Sequence, residues 1–218
     1  MKKLLLIALF VLPCWAQAGV YEDMEEAIIR GNDPDAIALI RRGMDVNTVD
    51  RFGNTLLMQA VVRDMPELVD FLVKSRARLN ARNRNGETAL SLAAFHGRDA
   101  YVQTLVAAGG EINFFGWPPL IYAAYNGHQA IVEFLLSKGA EINAKAENGM
   151  TALFFAARFG HRGVVETLLK HEADPTIVND REETAVDWAL KSDNTDIADL
   201  IRAAGGRSGK SVVLDLSK

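Results

Sequence analysis

Cysteine occurs once in the 218 residues, at Cys14. One cysteine cannot frame a disulfide scaffold, a zinc finger or an iron–sulfur site. Histidine occurs only four times, and no Ser/His/Asp set, carboxylate dyad or HExxH segment is found. A basic excess is also missing. The 24 Lys and Arg against 28 Asp and Glu give a formal charge of −4, with nothing to spare for neutralising phosphates, so no nucleic-acid partner is expected. Long apolar runs are absent too: Leu4 to Leu12 has nine residues, far short of the ~20 of a membrane helix. What remains is 49% apolar and 24% charged, the composition of a globular chain.

The first 18 residues differ from the rest. Lys2 and Lys3 precede the apolar run, Pro13 ends it, and Ala16-Gln17-Ala18 supplies small residues at the two positions a signal peptidase reads. Residues 1–18 are therefore expected to be a secretory signal peptide cleaved before Gly19. The alternatives are an uncleaved anchor or a buried first helix. Val11-Leu12-Pro13 before Cys14 lacks the small residues of a lipid-attachment site. Cleavage would remove two lysines and the only cysteine, leaving 22 − 28 = −6 and a chain indifferent to an oxidising compartment. That suits a bacterial periplasm.

The remainder is periodic. Ala27, Ala60, Ala93, Ala123, Ala156 and Ala189 are spaced 33, 33, 30, 33 and 33. Leu39, Leu72, Leu105, Leu135, Leu168 and Ile201 repeat those intervals, and so do Asn47, Asn80, Asn113 and Asn143 with Thr176. Three columns share one period and one three-residue deletion, the signature of a repeat array.

Asn85-Gly86-Glu87-Thr88-Ala89-Leu90, Ala123-Ala124-Tyr125-Asn126-Gly127-His128 and Leu135-Leu136-Ser137-Lys138-Gly139-Ala140-Glu141-Ile142-Asn143 resemble the start, the turn and the close of an ankyrin repeat. The resemblance implies an all-α solenoid of six helix-turn-helix units joined by β-hairpin fingers, over residues 22–205. The units run 22–49, 50–82, 83–115, 116–145, 146–178 and 179–205, with 206–218 a flexible tail. Thr55, Thr88, Thr151 and Thr184 precede apolar helical stretches as N-caps, and Pro119 suits a first helical turn. Gly31, Gly97, Gly127 and Gly160 stand where the first helices stop, and Gly43, Gly109, Gly139 and Gly205 where the second ones do. One such unit cannot bury its apolar face alone, and stacked neighbours do so.

The departures carry information. Glu22, Asp23, Glu25 and Glu26 open the first unit, at the positive end of a helix, as a solvated cap. Lys191, Ser192, Asp193 and Asn194 make the last unit polar, and Glu182 replaces its turn Gly. Arg76 and Glu172 replace Gly at second-helix stops and are expected to be strained, left-handed residues. The fourth finger is shortened to Phe114-Phe115-Gly116-Trp117.

Candidates for chemistry are few. Ankyrin stacking would place His128 and His161 about 10 Å apart, too far to share a metal with ligands ~2 Å away. Their position matches the family's structural histidine, whose ring bridges backbone groups. Ala204-Gly205-Gly206-Arg207-Ser208-Gly209-Lys210-Ser211 imitates the loose form of a phosphate loop, but it lacks the preceding strand and following helix that such a loop needs. Val212-Val213-Leu214-Asp215-Leu216 either adds a strand to a partner or folds back on the last unit. No cofactor, metal or catalytic residue is expected, and the chain is read as no enzyme.

The family's binding columns, at finger tips and at the ends of the first helices, fall here on Arg51, Phe52, Arg63, Arg84, Phe95, His96, Phe114, Phe115, Trp117, Tyr125, Arg158 and Phe159. Aromatic and arginine side chains are those that interface hot spots favour. Phe95, Tyr125 and Phe159 are expected to be exposed. Phe114 and Phe115 either join them or turn inward to fill the gap of the shortened finger. The resemblance implies a non-enzymatic scaffold that binds a partner protein in its concave face; the leader adds the expectation of a periplasmic chain free of the membrane once it is removed, and a monomer is expected. The alternative is a secreted effector that binds a host protein.

Overall fold

The computed structural model describes residues 14–209, with side chains from Gly19 onward. The charged and apolar parts of the expected leader, residues 1–13, lie outside the described residues. So do Lys210 and the apolar run Val212 to Leu216.

Among the described residues, helices alternate in pairs. The first helices of the six units are α1 (Cys14–Arg30), α3 (Leu56–Arg63), α5 (Ala89–Phe95), α7 (Pro119–Tyr125), α9 (Ala152–Arg158) and α11 (Ala185–Lys191). The second helices are α2 (Asp33–Arg41), α4 (Pro66–Lys74), α6 (Asp99–Ala107), α8 (Gln129–Ser137), α10 (Arg162–Lys170) and α12 (Thr195–Ala203). First helices stack on first helices and second on second. Apart from α1, the helices have seven to nine residues, below the ~12–15 that an isolated helix needs. Their stability comes from stacking, and the three periodic columns show how. The alanine column is at most 5% exposed and the leucine column at most 7%. The small alanines bring neighbouring first helices close together. The asparagine column joins unit to unit: the side-chain oxygens of Asn47, Asn80, Asn113 and Asn143 accept from the amides of Arg78, Glu111, Glu141 and Asp174, each in the next unit, at 2.8–3.0 Å.

Helix ends follow the expected chemistry with one exception. Thr55, Thr88 and Thr184 cap α3, α5 and α11 through their side chains, whereas the Thr151 hydroxyl makes no cap bond. Pro119 occupies the first turn of α7. Arg76, Glu172 and Glu182 are left-handed, with φ of 58°, 65° and 58°. Asp64 and Asp193 share that conformation, at 60° and 59°. Because α1 starts at Cys14, Glu22, Asp23, Glu25 and Glu26 sit in its middle turns and not at its positive end. All four are exposed.

The fingers are shorter than β-hairpins. Among the described residues the only ladder element is an isolated antiparallel bridge between Val49 and Thr55. Side chains take the amides that a ladder would use. The carboxylate of Asp50 accepts from the Phe52 and Asn54 amides. Asn83 accepts in the same way from Asn85 and Glu87, and Asn179 from Arg181 and Glu183.

The junctions between units use a second recurring device. The His128 ring nitrogen Nε2 donates to the Phe95 carbonyl at 3.1 Å, and that of His161 to the Tyr125 carbonyl at 2.9 Å. The rings lie so close to the preceding turn that a Cβ on Gly97 or Gly127 would come within 2.6 Å of them. At the next junction Asn194 takes the histidine's place and donates to the Ala157 and Arg158 carbonyls. Between the second and third units the pair is Asp64 and Arg98, bonded at 2.7 Å, with the Tyr101 hydroxyl also donating to Asp64 at 2.7 Å. Burial, then the hydrogen bond to Asp64, pushes the Tyr101 phenol well above its usual pKa.

Residues 206–209, expected to begin a flexible tail, are held against the last unit. The Thr184 hydroxyl donates to the Arg207 carbonyl at 2.7 Å, and the Gly209 amide donates to Asp187 Oδ2 at 2.8 Å. Asp187 is fully buried, which fixes that anchor in place.

Candidate interaction surface

The fingers and the first helices face each other across a groove. At its N-terminal end lies a hollow of about 570 Å³, between the fingers of the second and third units and the helices α1 and α3. Phe52 and Arg84 line it from the fingers, Arg63 and Val62 from α3, and Ile29 from α1. Phe52 is 55% exposed and carries the Arg51 guanidinium at 4.9 Å from its ring centre. Four of the expected residues, Arg51, Phe52, Arg63 and Arg84, therefore belong to one end of one groove.

The aromatic residues of the third to fifth units meet farther along. Phe95 ends α5, Tyr125 ends α7, and Phe159 caps α9. Phe95 and Tyr125 are half-buried and not exposed as expected, because they pack together with ring centres 6.3 Å apart. Phe159 is 40% exposed and leans on Tyr125 at 4.5 Å. Trp117, from the shortened finger, turns inward onto Phe155 at 4.7 Å. The gap left by the deletion is thus filled by Trp117. Phe115 points out, at 79% exposure, and Phe114 is half-buried beneath the Arg82 guanidinium at 4.2 Å. His96 is exposed and lies edge-on to Phe95. Burial of part of the ring, then the nearby Arg98 charge, pushes its pKa below its ordinary value.

Three rings at the site were not anticipated. Tyr122, Phe155 and Trp188 occupy one position of α7, α9 and α11 at intervals of 33. The same column in the earlier units holds Gln59 and Leu92. Tyr122 and Phe155 contact Trp117, and Trp188 carries the Arg158 guanidinium at 4.5 Å. The Tyr122 hydroxyl donates to Glu87 at 3.2 Å. Burial, then that carboxylate, raises the phenol's pKa far above its usual value.

Trp188 also donates to Glu183, which accepts from Asn179 and Lys191 as well. Burial alone would raise the Glu183 pKa, but the bonds from Lys191, Asn179 and Trp188 outweigh it and hold the carboxyl below its ordinary 4.5. It is a fully satisfied structural group. Among the described residues no cluster of three His, Cys, Asp or Glu is placed to hold a metal ion, and no helix is long and apolar enough to cross a membrane.

Comparison with known proteins agrees with this geometry. Residues 24–115, 57–146 and 120–208 match the family model described as ankyrin repeats in three copies. The chain belongs to the ankyrin repeat family, whose repeats generally mediate protein–protein interaction. The human Notch-regulated ankyrin repeat-containing protein is 35% identical over 86 residues, 38% of this chain and 75% of its own length. The inactive serine/threonine-protein kinase TEX14 of Bos taurus is 30% identical over 108 residues, 47% of this chain but 7% of that protein. The chain thus spans less than a tenth of the kinase-like relative and matches only its repeats. The crystal structure of the human ASB11 ankyrin repeat domain superimposes with a TM-score of 0.77 over 84% of each chain, at 23% identity, a likeness of fold.

Proposed function

We propose that the chain is a monomeric, non-enzymatic scaffold that holds a partner protein in the groove between its fingers and first helices. It would do so in the periplasm, after removal of residues 1–18. The observation that carries the reading is the strip running from Phe52 to Phe159, where guanidinium groups lie over the exposed rings of Phe52 and Phe159 and the half-buried ring of Phe114. Arginines held flat on rings lose little freedom when they meet a partner, so the strip is pre-organised for carboxylate-bearing protein surface. The leader motif and the lack of cysteine after Cys14 support an exported chain.

The test uses protein purified from its own host after osmotic shock. Mass spectrometry should give a chain beginning at Gly19. An affinity-tagged copy should retain a defined partner from an envelope extract, and Phe115→Ala with Phe159→Ala should weaken that capture at least tenfold. Both rings are exposed, so the unfolding midpoint should barely move. Capture that survives the double variant, or a chain that retains Met1 in the membrane fraction, overturns the corresponding half of the proposal. Recovery from the medium without lysis would favour the secreted alternative.

A further inference from the structure

Asp187 stands in a column of the first helices that is otherwise core. Met58, Ser91, Ile121 and Phe154 precede it there, and all five are at most 1% exposed. Its Oδ2 accepts from the Thr184 amide and the Gly209 amide, each at 2.8 Å. Its Oδ1 is buried and has no hydrogen-bond partner among the described residues. Folded chains satisfy nearly every buried acceptor, and a carboxylate held out of water is the one least able to go without.

The chain leaves α12 on the path of a further finger. The Gly206 amide donates to the Ile201 carbonyl at 2.9 Å, just as the amides of Ala77, Gly110, Ala140 and Ala173 donate to Leu72, Leu105, Leu135 and Leu168 at 2.8–3.0 Å. A Cβ on Gly206 would come within 2.6 Å of Ile201 and 3.2 Å of Val186, so the segment is pressed onto the last unit. At Gly209 it meets the turn of the last finger, where a Cβ would collide with the Glu182 carbonyl. Inner fingers lie on one another in the same way: the Arg84 amide donates to the Phe52 carbonyl, and the Asp180 amide to the Asn148 carbonyl. The face of α11 that this path crosses has an uncovered apolar side chain. Val61, Ala94, Ala124 and Ala157 are wholly buried. Leu190, next in their column, is only half-buried, because no further first helix lies on it among the described residues.

Gly209 is followed by Lys210, Ser211, Val212, Val213 and Leu214, a cation and then an apolar run. Lys210 adjoins the residue whose amide already rests on Asp187, and its four-carbon stem lets the ammonium turn back onto the free oxygen. Arg207, the other cation of the segment, is exposed and has its carbonyl fixed on Thr184. Leu190 is three residues after Asp187, about 4.5 Å along the helix axis. Val212 is three residues after Gly209, a span of up to about 10 Å.

We propose that the chain after Gly209 docks on the outer face of the last unit, with the Lys210 ammonium donating to Asp187 Oδ1 and Val212 to Leu214 covering Leu190. The segment then serves as a cap for the array and is not available to add a strand to a partner. The inference stands apart from what the groove holds.

The test is made on the full chain by NMR. The Gly209 amide reports the anchor: Lys210→Met, which keeps the stem and removes the charge, should make it exchange about tenfold faster, while Ser211→Ala should leave it within about twofold. In an Asp187→Asn background, Lys210→Met should add nothing further. The methyl groups of Val212 or Val213 should show cross-relaxation to those of Leu190, a readout that survives even if Asp187→Asn disturbs the fold. Unchanged exchange in Lys210→Met, or the same acceleration from Ser211→Ala, overturns the pairing. Methyl contacts that are absent, or that arise only between differently labelled copies, overturn the cap and assign the apolar run elsewhere.

Discussion

Replacing Arg76 with glycine should make the protein more stable, and the structure sets the size of the gain. Arg76 ends α4 with φ 58°, a left-handed conformation that costs an L residue about 1–2 kcal/mol. The four glycines at equivalent stops, Gly43, Gly109, Gly139 and Gly205, relax to φ between 86° and 110°, values that Arg76 cannot reach cheaply. Against the relief stands the greater freedom of glycine in the unfolded chain, worth about 0.4–1 kcal/mol. The Arg76 side chain is exposed and makes no hydrogen bond or ion pair among the described residues. The net expectation is a gain of about 0.5–1 kcal/mol. With a urea slope of roughly 2–3 kcal/mol per molar, the midpoint followed by circular dichroism should rise by about 0.2–0.4 M with the slope unchanged. Glu172→Gly, at φ 65° and three units away, should add a similar amount independently. Asp64→Gly is the control. Its φ is nearly the same, at 60°, but it would forfeit the bonds from Arg98 and Tyr101 and should lower the midpoint. A lower midpoint for Arg76→Gly, or a higher one for Asp64→Gly, would refute the balance of backbone strain and side-chain bonding drawn here.

His161→Ala should destabilise the array by about 1–3 kcal/mol, since it leaves the Tyr125 carbonyl without its partner and opens a void beside Gly127; urea unfolding reads this, and hydrogen exchange should localise the loss to the junction of the fourth and fifth units. Glu183 has a depressed pKa in the folded chain, so its contribution to stability is whole above its ordinary value of 4.5 and is lost as pH falls through the folded value. Glu183→Gln should therefore flatten the acid limb of a midpoint-against-pH curve, whereas an unchanged limb would mean that other carboxylates govern it.

The architecture was legible because its cause is periodic. Ala60, Leu72 and Asn80 each solve a problem that every unit shares, so their columns survive in the sequence. The strained stops at Arg76 and Glu172 stood out for the same reason, as breaks in a column of glycine, and so did Glu182 in the column of finger-turn glycines. What escaped notice was of two kinds. Tyr122, Phe155 and Trp188 form a column as regular as the alanines, but apolar residues inside a short helix read as core until the neighbours show which face is open. Asp64 and Arg98 escaped because the pair was rewritten in chemistry. A glycine and a histidine at one junction became a carboxylate and a guanidinium at another, and neither resembles what it replaces. The exposure of Phe95 and Tyr125 was overestimated because ring–ring packing across units depends on Trp117, whose direction only the shortened finger determines.

The bonds at the junctions have a mechanical consequence. The carbonyls that His128 and His161 hold belong to Phe95 and Tyr125, the residues whose rings line the groove, and Asn194 holds that of Arg158 in the same way. Each of the last three units therefore grips its predecessor by the backbone of a groove residue. Flexing the array between two units must drag one wall of the groove along with it, so the spacing of the rings and the bend of the molecule are a single variable. A partner that spreads or compresses those rings would be felt as curvature at both ends, and one that fits them would lock the solenoid straight through, like a rule held against a notched edge.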